Sequence, residues 1–296
     1  MISITGDTHG DFRRFNSSNF PEEKEMSRDD FVLIAGDFGG IWTSDKPHPL
    51  IDERRRIKSL KNEAMTMRWF EQKRPTFCFV LGNHENYNRY DSEEFPVVDF
   101  LGGKAQQLAD NVFHLMSGYV FEMCEKKLFT FDGASSHDIT DGILLASELE
   151  DSKEEKDYYA PEYLNEIKEK YYIDCKNERV LKSKRKQMLN DYKLFRVKDT
   201  EWWERECMPT KEETERGIEN LKKSGNKVDF VLTHCLPQSV ASVISHGVYK
   251  PNPVTTYLEH INQTTDVGNW ICGHYHENKT IMGKYHIIYE QITRIA

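Results

Sequence analysis

Short hydrophobic runs that end directly in Gly, Asp, Asn or His constrain this 296-residue chain more than any other feature. Five segments follow this pattern: GDTHG at 6–10, GDFGG at 36–40, GNHE at 82–85, THC at 233–235 and GHYH at 273–276. Such runs are typical of buried strands, and each glycine permits a tight turn. Because open α/β sheets bind ligands in the crevice beyond their strand ends, the five segments predict an α/β fold with one shared site.

The side chains that follow these strands are carboxylates, imidazoles and an amide, which are metal ligands. Asp7 and His9 are two residues apart, as are His274 and His276, and this spacing places side chains on one side of an extended segment. Oxygen and imidazole ligands without thiolates favour borderline divalent cations such as Mn²⁺, Fe²⁺ or Zn²⁺. Because seven candidate ligands exceed what one tetrahedral ion takes, we expect two ions that share a carboxylate.

The order of these motifs, from Ile2 to about Tyr289, resembles that of the calcineurin-like metallophosphoesterase superfamily, in a bacterial-type branch with a GHxH ending. The resemblance implies an α/β/β/α sandwich of two mixed β-sheets flanked by helices. It also implies Asp37 as the ligand that bridges two divalent transition-metal ions. The remaining metal ligands would be Asp7, His9 and His276 on the first ion and Asn83, His234 and His274 on the second. Mn²⁺ and Fe²⁺ or Fe³⁺ suit this set best, with Zn²⁺ as an alternative.

The resemblance implies a metal-dependent phosphoesterase, either a phosphatase or a phosphodiesterase, in which a metal-bridging hydroxide attacks a phosphate ester. Asp37 and His84 would be its catalytic residues, with His84 as general acid or phosphoryl contact. Eukaryotic-type protein phosphatase activity is not expected, because GDFGGIW at 36–42 lacks the Asp-Arg-Gly of those enzymes. Two alternatives stay open: a nuclease or cyclic-nucleotide phosphodiesterase that uses the same site, and a non-catalytic metal-binding scaffold.

Two further residues match patterns of this branch and are expected to bind the substrate. Arg196 precedes a WW..E motif that contains Trp202 and Trp203, and its planar guanidinium can bind two phosphate oxygens at once. His137 lies in the recurrent segment GASSHD at 133–138. The partner is expected to be a phosphate ester, with a nucleotide or nucleic acid as one source. The two tryptophans are expected to lie in the core, and stacking on a base is the alternative.

Charge patterning divides an otherwise continuous domain. We expect a single metallophosphoesterase domain over residues 1–296, with a charged helical insertion at 139–198 that opens with an acidic run at 148–157. Between 168 and 198, eleven Lys and Arg stand against four Asp and Glu, whereas the whole chain carries a net charge of −9. The insertion is interpreted either as a solvated helical hairpin or as a cap whose basic face attracts a polyanionic substrate.

Composition favours a cytoplasmic enzyme without a membrane partner. The six cysteines have no pairing pattern and are expected to be reduced thiols. Met1 leads directly into the first predicted strand, so no N-terminal signal is expected. The longest apolar runs are of strand length, well short of the about 20 residues of a membrane span. No feature of the sequence indicates an oligomeric state.

Secondary structure is predicted from hydrophobic periodicity and turn residues. Strands are predicted at 2–5, 31–36, 76–82, 112–116, 119–123, 128–134, 228–234 and 267–273. Helices are predicted at 52–73, 211–223 and 253–262, and a closing hairpin at 280–290. This alternation favours a mixed sheet arrangement with helices outside.

Overall fold

A computed structural model of the chain describes residues 1–150 and 156–296. Residues 151–155 of the acidic run therefore lie outside the described residues. The strands are β1 (Ile2–Thr5), β2 (Phe31–Ile34), β3 (Thr76–Phe79), β4 (Val97–Phe100), β5 (Gly103–Ala109), β6 (Val112–Leu115), β7 (Val120–Met123), β8 (Lys126–Phe131), β9 (Gly142–Leu145), β10 (Tyr172–Asp174), β11 (Phe195–Val197), β12 (Lys227–Thr233), β13 (Asp266–Cys272), β14 (Lys279–Ile281), β15 (Tyr285–Ile287) and β16 (Thr293–Arg294). The helices are α1 (Glu53–Glu71), α2 (Tyr87–Tyr90), α3 (Pro161–Tyr171), α4 (Glu178–Asn190), α5 (Lys211–Lys223), α6 (Gln238–Ile244) and α7 (Pro253–Thr264).

Two large mixed sheets carry the fold. The first has the strand order β16-β1-β2-β3-β6-β5-β4, in which β1, β2, β3 and β6 are parallel. The second has the order β14-β15-β13-β12-β8-β7, in which β15, β13, β12 and β8 are parallel. The parallel strands are covered on both faces, which explains why their sequences are continuous apolar runs such as FVLI in β2.

Hydrophobic clusters define the order of the layers. Between the sheets, Ile4 of the first sheet and Leu232 of the second belong to one buried cluster. The outer face of the first sheet packs against α1 through Phe70, and the outer face of the second packs against α7 through Leu258. The layers are therefore helix, sheet, sheet and helix, which confirms the predicted α/β/β/α sandwich.

Residues 139–198 contain a small sheet as well as the predicted helices. Strands β9, β10 and β11 form a parallel sheet in the order β10-β9-β11, and α3 and α4 connect successive strands. The sequence analysis missed these strands because each has only three or four residues. In α4, the buried Leu181 and Met188 pack with Leu144 and Val197 of the small sheet. The two helices are therefore separated by a strand and do not form a simple hairpin.

Two findings bear on the compositional expectations. All six cysteines are free. Within the described residues, no helix combines the length and the apolar character needed to cross a membrane.

Candidate metal centre

Two buried carboxylates lie where the sheets meet. Asp7 follows β1 and Asp37 follows β2, and each is 1% exposed. Among the described residues, the ion-pair partners of both carboxylates are histidines only. Asp37 Oδ1 accepts a hydrogen bond from the backbone N–H of His84 at 2.7 Å, and Asp7 Oδ1 accepts one from that of His274 at 3.0 Å. Buried carboxylates without a Lys or Arg partner are typical of metal ligands.

The candidate ligands form three overlapping clusters. Within each cluster the potential ligand atoms lie within 4.8 Å of one another, and the clusters are Asp7 with His9 and His276, His9 with Asp37 and His84, and Asp7 with Asp37 and His234. The Nε2 atoms of His9 and His276 are 3.2 Å apart, and His276 Nε2 lies 3.0 Å from Asp7 Oδ2. Asp7, His9 and Asp37 each belong to two of the clusters, so the three groups of ligand atoms form one continuous centre.

Hydrogen bonds outside the clusters orient two of the candidate ligands. His234 Nδ1 donates to the carbonyl of Ala35 at 2.8 Å, so that its Nε2 faces Asn83 Oδ1 at 3.2 Å. Asn83 Nδ2 donates to Ser136 Oγ at 3.2 Å, and the backbone N–H of Ser136 donates to Glu206 Oε1 at 2.9 Å. Such outer partners fix the orientation of metal ligands. The sequence analysis assigned no role to Ser136, although it lies in the GASSHD segment.

Two of the predicted ligands, Asn83 and His274, are not part of these three clusters of His, Asp and Glu side chains. His274 Nε2 lies 3.0 Å from His137 Nε2, and the ring centroid of His274 lies 5.0 Å from that of His234. The exposed His137 stacks on Tyr249 with ring centroids 4.9 Å apart. The structure thus places His137 next to His274, a candidate metal ligand that follows a strand of the second sheet.

Burial and charge set the protonation of the site. Burial opposes ionisation of Asp37, yet the adjacent His234 holds the pKa of this carboxyl well below its usual range. Burial likewise opposes a charge on His234, but Asp37 and Asp7 raise the pKa of His234 to about 9. The two carboxylates therefore favour positive charge at the centre of the site. The carboxylates, imidazoles and amide together are a donor set that suits borderline divalent ions.

Arg196 is the residue through which the insertion contacts the candidate site. Its Nη2 donates to His84 Nε2 at 2.9 Å, and its Nε lies 2.7 Å from Asp138 Oδ1. The side chain is 5% exposed, and its Nη1 donates to the carbonyl of Glu201 at 2.9 Å. Burial lowers the pKa of His84 to about 4 against the effect of Asp37, and Arg196 contributes to the decrease. A guanidinium only donates hydrogen bonds, so His84 accepts at Nε2 in this arrangement.

Several candidate ligands have a left-handed backbone, which the sequence analysis did not predict. The φ angles are +46° at His9, +47° at Asp37, +68° at His274 and +50° at His276. The GDTHG and GHYH segments are therefore turns, so the alternation of an extended segment is not the reason why Asp7 and His9 lie close together. Non-glycine residues in this region cost about 1–3 kcal/mol each and concentrate at functional sites.

The tryptophans near the site differ in exposure. Trp202 is 0% and Trp203 is 1% exposed, so both are core side chains and neither is free to stack on a base. The sequence analysis missed Trp42, which is partly exposed and has its ring centroid 6.2 Å from that of His84. Trp42 is the last residue of the GDFGGIW segment, from which the sequence analysis inferred only the absence of an Asp-Arg-Gly motif.

Comparison with known proteins agrees with this geometry. The family model for calcineurin-like phosphoesterases matches residues 1–278, which include all five motifs. No curated protein matches the chain. The family implies a hydrolase that acts on phosphoesters, and its typical divalent metals fit the clusters of ligand atoms described above. The chain therefore belongs to the calcineurin-like phosphoesterase family.

Proposed function

We propose that this protein is a dinuclear-metal-dependent phosphoesterase. The observation that carries the proposal is the pair of buried carboxylates, Asp7 and Asp37, whose described ion-pair partners are histidines and which join overlapping clusters of ligand atoms. The alternative is a scaffold that has lost catalysis. The presence of all the predicted ligand residues argues against such a loss.

The proposed ligands divide between two ions around Asp37. They are Asp7, His9 and His276 for the first ion and Asn83, His234 and His274 for the second. Because His274 Nε2 faces His137, its Nδ1 is the proposed ligand atom. Mn²⁺ and iron suit these donors best, and Zn²⁺ is the alternative. Bound ions would lower the pKa of a water nucleophile and neutralise charge that develops on the phosphoryl oxygens.

Arg196 and His84 are the proposed phosphoryl contacts. Arg196 is already held by Asp138 and Glu201, so little side-chain entropy is lost when it binds phosphate. The hydrogen bond from Arg196 to His84 Nε2 supports phosphoryl contact over general acid catalysis for His84. Residues 139–198 are accordingly proposed to form a cap, because Arg196 lies on β11 of the insertion and contacts the site.

His137 is a further proposed substrate contact, and its chain neighbour Asp138 pairs with Arg196. His137 is exposed, and its Nε2 is within hydrogen-bonding distance of His274. In this proposal Arg196 of the cap and His137 of the loop after β8 both bind phosphoryl oxygens.

Metal-dependent release of nitrophenol tests the proposed function. The protein is stripped with chelator, reconstituted with Mn²⁺, and assayed on p-nitrophenyl phosphate and bis(p-nitrophenyl) phosphate. We expect hydrolysis of at least one ester that disappears with chelator and in Asp37→Asn. The more active ester shows whether the enzyme is a phosphatase or a phosphodiesterase. Absence of metal-dependent hydrolysis with both esters would contradict the proposal and favour the scaffold.

The role of His84 is tested separately from metal binding. His84→Ala should retain its metal ions and lower kcat by about 10²–10³, the range for loss of one contact that stabilises charge developing on the reacting group. His260→Ala, at a histidine on α7, is the matched control and should behave as the parent protein. Loss of metal in His84→Ala would instead make His84 a ligand.

A further inference from the structure

We infer that Trp42 is a stacking platform for the organic group of the substrate, which makes the preferred substrates phosphoesters that carry a planar ring such as a nucleobase. The inference rests on the proposed function and adds a substrate class to it. It follows from where Trp42 lies, how firmly it is held, and how its exposure differs from that of the neighbouring tryptophans.

Trp42 adjoins the proposed phosphoryl contacts. Its ring centroid lies 6.2 Å from that of His84, and the two ring planes are inclined by 31°. His84 in turn contacts Arg196 through the 2.9 Å hydrogen bond. A phosphoryl group bound by His84 and Arg196 would therefore place the attached organic group within reach of the Trp42 ring.

The position of Trp42 is fixed before any ligand binds. Its backbone N–H donates to Glu63 Oε1 at 3.1 Å, and its carbonyl accepts from Asn86 Nδ2 at 3.1 Å. The ring makes an edge contact with the buried Trp203, with centroids 5.3 Å apart and planes at 83°. A rigid aromatic ring loses little conformational entropy on binding, which favours its use as an anchor.

Exposure distinguishes Trp42 from the tryptophans that only fill the core. Trp202, Trp203 and Trp270 are at most 1% exposed, whereas Trp42 remains partly accessible beside the site. Stacking on an aromatic side chain selects planar rings without distinguishing one base from another. The structure therefore indicates a preference for a class of organic group and not for a particular nucleotide.

The test compares two substrates whose phosphate is esterified to the 5′-oxygen of a ribose and which differ in whether that ribose carries a base. Adenosine 5′-monophosphate and ribose 5-phosphate are both 5′-phosphate esters, and their methyl diesters serve if the enzyme prefers diesters. Trp42→Ala should lower the ratio of kcat/KM for the nucleotide to that for the sugar phosphate by about 5- to 150-fold, the usual range for loss of one stacked base. Trp42→Phe should restore most of this ratio, because it restores an aromatic face.

A second substitution controls for the general effect of removing a tryptophan. Trp69 lies on α1, where it packs on Phe70 and Lys73. Trp69→Ala should leave the ratio of kcat/KM for the two substrates unchanged. If Trp42→Ala lowers kcat/KM equally for both substrates, Trp42 only supports His84 and the inference is wrong. A parent enzyme that does not prefer the nucleotide would also overturn it.

Binding measurements separate this inference from the proposed function. If the Mn²⁺-loaded protein hydrolyses no ester, the proposed function fails, and calorimetry with the same two ligands still tests the platform. Tighter binding of adenosine 5′-monophosphate than of ribose 5-phosphate, lost in Trp42→Ala and regained in Trp42→Phe, would support the platform. Equal binding of both ligands to the parent protein would overturn it.

Discussion

At the scale of single residues, Gly82 and Gly273 are required by the close approach of the two buried carboxylates. A Cβ atom at Gly82 would lie 2.1 Å from Asp37 Oδ1, and one at Gly273 would lie 2.0 Å from Asp7 Oδ1. Neither glycine has a positive φ angle. The expectation of a tight turn therefore does not account for them, and close approach of a carboxylate does.

Gly82→Ala is expected to displace the Asp37 carboxylate and thereby weaken metal binding. The measurement is the number of Mn²⁺ ions bound after reconstitution, which should fall below that of the parent protein. Gly225→Ala is the control for backbone strain without crowding, because φ at Gly225 is +76° and no atom lies within 4 Å of an added Cβ. Equal loss of metal in both variants would show that crowding at Asp37 is not the cause.

Glu206 is expected to make the stability of the protein depend on pH. Burial raises the pKa of Glu206 to about 8, above its value in the unfolded chain of about 4.3. The folded state therefore retains a proton that the unfolded state loses, so this residue lowers stability progressively as pH rises between these two values.

Glu206→Gln keeps an acceptor for the Ser136 N–H without the charge. The difference in unfolding temperature between Glu206→Gln and the parent should therefore favour the variant more at pH 9 than at pH 5. Glu162→Gln, at an exposed position on α3, should show no such pH-dependent gain. If the difference in unfolding temperature between Glu206→Gln and its parent is the same at both pH values, the pKa of Glu206 is not raised by burial.

At the scale of elements, the short sheet of the insertion supports a residue of the proposed site. Arg196 lies on β11 opposite Ile143 of β9, and α4 covers this sheet with Leu181, which is 1% exposed. The position of Arg196 therefore depends on packing within the insertion, which makes the insertion more than a solvated appendage.

Leu181→Ala should destabilise the insertion and thereby loosen Arg196. Truncation of a buried leucine costs about 2–5 kcal/mol. We expect a raised KM for the phosphate ester together with unchanged metal content. Leu189→Ala on the same helix is the matched control, because Leu189 is 54% exposed. If KM is unchanged in a demonstrably destabilised Leu181→Ala protein, the packing of α4 does not hold Arg196.

The elements also show what the sequence could predict. Strands such as β1 and β12 and helices such as α5 were predicted within a few residues, because continuous apolar runs and periodic charges are local signals. β4 and β5 were missed, since their residues are largely partly exposed and form no apolar run. β9 to β11 were missed because short strands gain their stability from partners distant in sequence.

At the scale of the whole molecule, the site exists because two sheets bring their strand ends together. Asp7, Asp37 and Asn83 follow strands of the first sheet, and His234 and His274 follow strands of the second. The motifs revealed which residues belong together, because each is a local pattern of a strand end. The contact between Arg196 and His84, the support from Ser136 and the exposure of Trp42 depend on tertiary packing, which no local pattern records.

Counting bound metal ions tests the central claim most directly. The protein is stripped of metal, reconstituted with Mn²⁺, dialysed and measured by elemental analysis, with calorimetry as a second readout. We predict two ions per chain for the parent protein and fewer for Asp37→Asn, because the bridging carboxylate is lost. One ion or fewer in the folded parent protein would contradict a dinuclear site.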